Sequence, residues 1–334
     1  MLRREIEPPG GDIPVIAPGR TRPLCGDAAL CEDLLAANAL ASAFDEHVMK
    51  VFRDYTQGEL DRAYDQRHWA GNAETVIGRY ATASAAVRSR LRLMPDIAYG
   101  PSPAETLDIF LASAAKAPIH IFIHGGAWRM LSKAESCFAA EAFVGAGIHF
   151  VALNFASLPA VRLPAMAAQI RRAIAFVHAN ASSFGGNAEE ITISGHSSGS
   201  HLAAVVLTSD WSSCGLPADV VKAGLCASGI YELEPVLLSA RSAYVKLDTS
   251  EAGLLSPIRH VGRIPCKVSV AYGSLESPEF KRQGQDFAAA LAASGKLAEE
   301  VLLQSLNHFE VVETLACPEG LLFRAVMRLM GRSR

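Results

Sequence analysis

The sequence predicts an α/β fold, a mostly parallel central sheet with helices on both of its faces. Three observations lead there. From about residue 93 onward, short apolar runs alternate with helical segments, the order expected where helices join parallel strands. The runs Ile119–Ile123, His149–Leu153, Val221–Ala227 and Cys266–Ala271 are largely apolar rather than alternating, as strands covered on both faces are. One further run, Ile191–Ser194, ends in Gly195-His196-Ser197-Ser198-Gly199 and continues into the apolar segment His201–Thr208. A serine is thereby carried outward on a tight turn between a strand and a helix, and small residues two positions either side of it let the turn close.

Composition narrows the classes of function. The chain has 334 residues, half of them hydrophobic, enough for one large domain with decorations or two small ones. Its formal charge is −3 with both signs mixed throughout, so neither a nucleic acid nor a membrane is an expected partner. The seven cysteines (Cys25, Cys31, Cys137, Cys214, Cys226, Cys266, Cys317) form no C-x-x-C pair. Their odd number and apolar settings suit reduced thiols, not a disulfide frame or zinc site. No apolar run is long enough for a membrane span. Arg3-Arg4 is followed by acidic, proline and glycine residues rather than an apolar core, so no signal peptide is read and the cytoplasm is the expected location.

Taken in order, residues 1–26 are rich in proline and glycine and read as a flexible arm. Residues 27–92 read as a helical extension. In it Leu30, Leu34, Leu35, Phe44, Val48, Val51 and Phe52 have helical spacing, Thr56-Gln57-Gly58-Glu59 has the form of a capping box, and Ala73–Leu91 is a further helix. This extension either covers the active site or mediates contact with a second copy. Residues 93–334 read as the α/β domain. Ile97–Tyr99 and Thr106–Leu111 are hairpin partners across Gly100-Pro101-Ser102-Pro103. Helices are expected over Ala134–Val144, Pro164–Ala181, Pro278–Ala293 and Val311–Met330, with a last strand over Leu297–Leu303. Residues 230–264 are too long for a simple connection and read as a lid-like insertion. Tyr231, Leu237, Tyr244 and Leu247 are its candidates for lining a pocket, with packing against the body as the alternative.

The chemistry follows from the serine. A hydroxyl is a poor nucleophile at neutral pH and needs a base. In this strand order the base follows the last strand, where Asn307-His308-Phe309 stands, so His308 is the expected general base and later acid. An imidazole in that role needs a carboxylate to fix its tautomer. The loop after Cys266–Ala271 offers Glu276. Glu279 is second, because it falls in the first turn of a helix where a carboxylate offsets the dipole, and Asp248 in the insertion is third. Acyl transfer also needs N–H donors where the carbonyl oxygen becomes negative. His124-Gly125-Gly126-Ala127-Trp128 follows the strand Ile119–Ile123 directly. Gly126, Ala127 and Ser198 are the oxyanion candidates, with Gly125 permitting the turn and His124 bracing it. Trp128 and His196, whose plainer reading is packing, are the substrate-contact candidates with Tyr231 and Tyr244. No H-x-x-x-H or H-x-E pattern frames the histidines, so no metal and no cofactor is expected.

HGGAW at 124–128, GHSSG at 195–199, the stretches Ser228–Pro235 and Gly273–Phe280, and Tyr64-Asp65-Gln66-Arg67 resemble the α/β-hydrolase superfamily. Within it they resemble the branch of the kynurenine formamidases (arylformamidases) and hormone-sensitive-lipase-like esterases. The resemblance runs from Ile97 to the C-terminus, with Tyr64–Arg67 similar to an N-terminal segment of bacterial members. It implies an α/β-hydrolase fold, a Ser197–Glu276–His308 triad and metal-free hydrolysis of an N-formyl arylamine. Two positions depart from the family's pattern: Glu276 stands where aspartate is usual, and Ala127 where a larger residue is frequent. They leave the catalytic class as implied and the small-molecule substrate open. An arylformamide comes first, a short-chain carboxylic ester second, and a non-catalytic binder on the same scaffold last.

Overall fold

The structure, a computed structural model, describes residues 49–332. The expected arm over 1–26 and the part of the helical extension before residue 49 lie outside the described residues.

A hairpin opens the described chain, β1 (Lys50–Phe52) against β2 (Tyr55–Thr56). Val51 and Phe52, expected on a helix, therefore lie in a strand. Thr56 then starts α1 (Gln57–Tyr64) with a full capping box to Glu59, satisfying two otherwise orphaned N–H groups. Helix α2 (Ala73–Arg90) follows.

The body is an eight-stranded sheet in the order β10-β9-β8-β7-β5-β6-β4-β3. Its strands are β3 (Leu93–Ala98), β4 (Thr106–Phe110), β5 (Ala117–Ile123), β6 (His149–Leu153), β7 (Gly186–His196), β8 (Ala223–Ala227), β9 (Lys267–Gly273) and β10 (Leu297–Leu303). From β6 to β10 neighbours run parallel, while β4 pairs antiparallel with both β3 and β6. Pro95 sits in β3, which the edge position tolerates because no ladder bond is lost. The helices divide between the faces. Helices α4 (Leu163–Asn180), α5 (Ser198–Leu207) and α8 (Pro278–Ala293) pack with Ile119, Ile121 and Ile123 on one face. Helices α2, α3 (Ala140–Gly145) and α10 (Leu321–Leu329) pack with Phe122 on the other. The alternation along β5 is the two-residue period of a strand. On the second face His120 bonds Thr192 at 2.9 Å and Ser194 at 2.7 Å while its ring stacks on Phe143, so a buried polar group is matched.

Two expected helices are interrupted. Residues 134–144 hold a 3-10 turn, Lys133–Glu135, and only then α3. The turn is pinned by the Ser132 cap and by Lys133 Nζ, which reaches Asp108 at 2.5 Å, while the Cys137 N–H donates to Ser84. Residues 311–330 hold two helices, α9 (His308–Glu313) and α10. Between them a turn closes from the Gly320 N–H to the Cys317 carbonyl, and a β-carbon on Gly320 would lie 1.9 Å from the Thr314 carbonyl oxygen. Residues 230–264, expected as a lid-like insertion, hold α6 (Glu234–Leu238) and α7 (Thr249–Leu254) with 3-10 turns at Ala240–Ala243 and Pro257–Arg263. No helix among the described residues is long and apolar enough to cross a membrane.

Candidate active site

Strand β7 lies between β5 and β8, and Ser197 stands where it turns into α5. The turn is strained, with φ 56° and ψ −125° at Ser197, a conformation held by its surroundings. Those surroundings admit only glycine on either side. A β-carbon on Gly195 would lie 2.3 Å from the Gly199 carbonyl oxygen, and one on Gly199 would lie 2.1 Å from the Ile123 carbonyl oxygen.

His308 reaches this hydroxyl from the far edge of the sheet. Asn307 caps α9 in a box with Glu310, and His308 is the first residue of the helix. His308 Nε2 lies 2.9 Å from Ser197 Oγ and its Nδ1 lies 3.0 Å from Glu276 Oε2. With Nδ1–H donating to the carboxylate, Nε2 is left to accept the serine proton. The other oxygen of Glu276 accepts from Ser228 Oγ and from the Gly273 N–H, both at 2.6 Å. Three donors thus hold one buried carboxylate, and this is what keeps its charge tolerable away from water. Helix α9 is itself fastened to α2. The Tyr80 hydroxyl donates to the Phe309 carbonyl, Asn72 bonds both Glu310 (2.7 Å) and Asn307 (2.8 Å), and Arg79 grips Glu313 at 2.9 and 2.6 Å.

Glu279 does other work. It accepts from Arg282 at 2.6 and 2.8 Å, from the Tyr64 hydroxyl at 2.9 Å and from Gln283 at 3.2 Å, and it makes no bond to His308. Burial, and next that carboxylate, hold the Tyr64 phenol well above its ordinary pKa. Asp248 is the N-cap of α7, accepting from the Glu251 N–H.

The Gly125-to-Trp128 loop is folded tightly against the elbow. Gly126, Ala127 and Trp128 have φ of 106°, 53° and 61° in succession, and the N–H groups of Arg129 and Met130 both close on the Gly126 carbonyl at 2.9 Å. A β-carbon on Gly125 would lie 2.9 Å from the His196 carbonyl oxygen. The N–H groups of Gly126, Ala127 and Ser198 make no hydrogen bond among the described residues. Trp128 N–H, by contrast, donates to Ser198 Oγ at 3.1 Å. His124 donates from Nδ1 to the Gly125 carbonyl and stacks on Phe155, and burial lowers its pKa to about 4.

A cavity of about 530 Å³ opens over these groups, lined by Ser197, His308, Gly126, Ala127, His196 and Tyr244 among others. His196 donates from Nε2 to the His308 carbonyl at 2.8 Å. Burial, and the charge His308 would carry nearby, hold its pKa well below the ordinary range. Two expected substrate contacts are not there. Trp128 is 2% exposed and its indole N–H donates to His201 Nδ1 at 3.3 Å. Tyr231 is fully buried, its ring stacked on Phe287 and its hydroxyl bonded to Ser200. Both pack the base of the elbow. The cavity wall comes instead from Asp61, Tyr64–Arg67, Ile77 and Tyr80 of the segment before the sheet, and from Ser239–Arg241. Of these, sequence reasoning singled out only Tyr64–Arg67, through the resemblance. Ser228, with φ 51°, was likewise missed as the residue that holds Glu276. Among the described residues no three His, Cys, Asp or Glu side chains cluster as a metal site requires.

Residues 107–214 match the family model described as BD-FAE. The fold is shared with a candidate thioesterase from Silicibacter sp. TM1040, 28% identical with a TM-score of 0.70 over 79% of this chain and 97% of that one. It is shared also with a Pyrobaculum calidifontis esterase, 18% identical with a TM-score of 0.58 over 80% of this chain and 95% of that one. Fold and site together define a hydrolase of the α/β-hydrolase class. An esterase, LipQ of Mycobacterium tuberculosis, is 32% identical over 60% of this chain and 53% of its own length. Kynurenine formamidases of Danio rerio and Salmo salar are each 30% identical over 85% of this chain and 100% of their own length. The chain belongs to the kynurenine formamidase family.

Proposed function

We propose that this hydrolase cleaves a small acyl group, formyl first, from an arylamine through an acyl-enzyme on Ser197. The observation that carries this reading is the hydrogen-bonded series from Ser197 Oγ through His308 to Glu276, at 2.9 and 3.0 Å. Ser197 Oγ attacks the carbonyl carbon while its proton passes to His308 Nε2, and Glu276 stabilises the imidazolium that results. The oxygen, now negative, is received by the N–H groups of Gly126, Ala127 and Ser198. They are free to donate, and they need no rearrangement as charge develops. The C–N bond then breaks, and the amine leaves with the proton from His308. Water, deprotonated by the same imidazole, attacks the acyl-enzyme and releases formate or another short carboxylate. A formyl preference is supported by the kynurenine formamidases, whose whole length this chain matches.

A short-chain carboxylesterase is the second reading, favoured by the likeness to esterase LipQ. A substrate panel separates the two: N-formylkynurenine, p-nitrophenyl acetate and esters of longer acyl chain. A kcat/KM that rises with acyl length would overturn the formamidase reading while leaving the nucleophile in place. A fluorophosphonate label carried by Ser197 is the expected outcome for an enzyme. Its absence from Ser197 would favour a non-catalytic binder.

A further inference from the structure

The buried histidines differ in what their second nitrogen meets. Both nitrogens of His120 are taken by Thr192 and Ser194, and both of His201 by the Trp128 indole and the Leu255 carbonyl. His124 and His149 each keep an unpartnered Nε2, but that atom is sealed from solvent. His196 is the exception. Its Nε2 is bonded to the His308 carbonyl at 2.8 Å. Its Nδ1 makes no hydrogen bond among the described residues, and it is not one of the sealed nitrogens. The residue lines the cavity together with Ser197 and His308.

The tautomer follows from the partner. A carbonyl oxygen can only accept, so Nε2 carries the hydrogen, and in the neutral ring Nδ1 is left with a lone pair. Burial keeps the ring neutral, and a charge on His308 acts in the same direction. The ring centre stands 4.8 Å from that of His308, with the planes tilted by 41°. A β-carbon on Gly125 would meet Ser197 Cβ at 3.0 Å and His196 Nδ1 at 3.3 Å, so the free acceptor and the nucleophile border the same gap.

We propose that His196 Nδ1 accepts a hydrogen bond from the scissile N–H of an amide substrate, and so sets the choice of amide over ester. When Ser197 Oγ adds to the carbonyl carbon, the amide nitrogen loses its conjugation and turns its new lone pair to the proton on His308 Nε2. The hydrogen it already carries then points elsewhere, and Nδ1 receives it. The amine departs with both hydrogens. An ester oxygen in that place has no hydrogen to give and turns a lone pair toward Nδ1, so one bond is lost and a repulsion gained. This rests on the hydrolytic reading of Ser197 and adds a second imidazole to it.

Formanilide and phenyl formate share their acyl group and ring, and their kcat/KM values, corrected for spontaneous hydrolysis, test the proposal. His196→Phe should lower formanilide by about ten- to hundredfold more than phenyl formate. Loss of the bond to the His308 carbonyl slows both substrates by one factor and cancels in the ratio. An unchanged ratio therefore means that His196 only braces His308, and it overturns the proposal. Should His196→Phe not fold, wild type decides alone. Each kcat/KM divided by the hydroxide rate constant of the same substrate should favour formanilide by about tenfold or more, and equality or a lead for phenyl formate counts against it. Ser197→Ala run alongside keeps the two readings apart. Turnover surviving there refutes the nucleophile, whereas an unchanged ratio in His196→Phe leaves the nucleophile standing.

Discussion

Two parts of the cavity lining are built on different principles. Around Ser197 the positions are set by backbone: glycines at 195 and 199 that admit no β-carbon, successive left-handed residues at 126–128, and a carboxylate held by three donors. Across Tyr64–Arg67 and Ser239–Tyr244 the lining is side chain, charged, aromatic and partly exposed. Groups that react must be held to a fraction of an ångström, and main chain locked by packing does that. Side chains on segments outside the strands tolerate more play and change without disturbing the sheet.

The contrast makes ordered predictions. Ser197→Ala should lower kcat by about 10^4 to 10^6, measured as single-turnover acyl release. Glu276→Gln should lower kcat by about 10^3 to 10^4 with KM little changed, because the imidazole is then offered the wrong tautomer; a loss of that size at Glu279→Gln instead would mean the acid is misplaced. Gly199→Ala should cost about 3 kcal/mol or more in urea unfolding, since neither the Ile123 nor the His124 carbonyl has room to yield. Glu279→Gln should cost about 1 to 2 kcal/mol, since Arg282 loses one of three carboxylates and keeps Asp286 and Glu232, while sparing the pH profile of kcat.

A last expectation concerns acid, and it sums over several groups rather than following from one substitution. Burial lowers His120 to about 3 and His124 and His201 to about 4, and His196 lies well below the ordinary range. An unfolded histidine takes its proton near pH 6.5, whereas these stay neutral in the fold, so between those values the unfolded chain binds more protons. Stability should be level above about pH 7 and fall as pH drops below about 6.5, by about 1.4 kcal/mol per unit for each such histidine. Urea midpoints from pH 8 to pH 4.5 measure it, and a flat profile would mean these rings are not held neutral.

What the sequence made legible was local or ordered along the chain. Apolar runs marked β5 to β9, and glycine spacing marked the elbow. Glu276 and Glu279 were separable because one precedes the helix and the other lies in its first turn, and the structure gives them different partners. The direction of a side chain was not legible. Trp128 follows the two glycines of its loop and Tyr231 lies just after β8, yet both turn inward, since a large ring gains more from burial than from a half-open cavity. Ser228 is one serine among many, and only a fold puts it beside Glu276. The break at Gly320 was hidden within an apolar pattern that two short helices share.

The bonds between α2 and α9 carry a consequence for anyone wishing to pare the protein down. A chain starting at Leu93 would retain every strand of the sheet and the elbow. It would forfeit Asn72, Arg79 and Tyr80, and with them the anchorage of the short helix that presents the imidazole. The smallest working unit thus reaches back past the sheet, and exchanging its leading segment for a relative's would retune turnover, not merely trim an ornament.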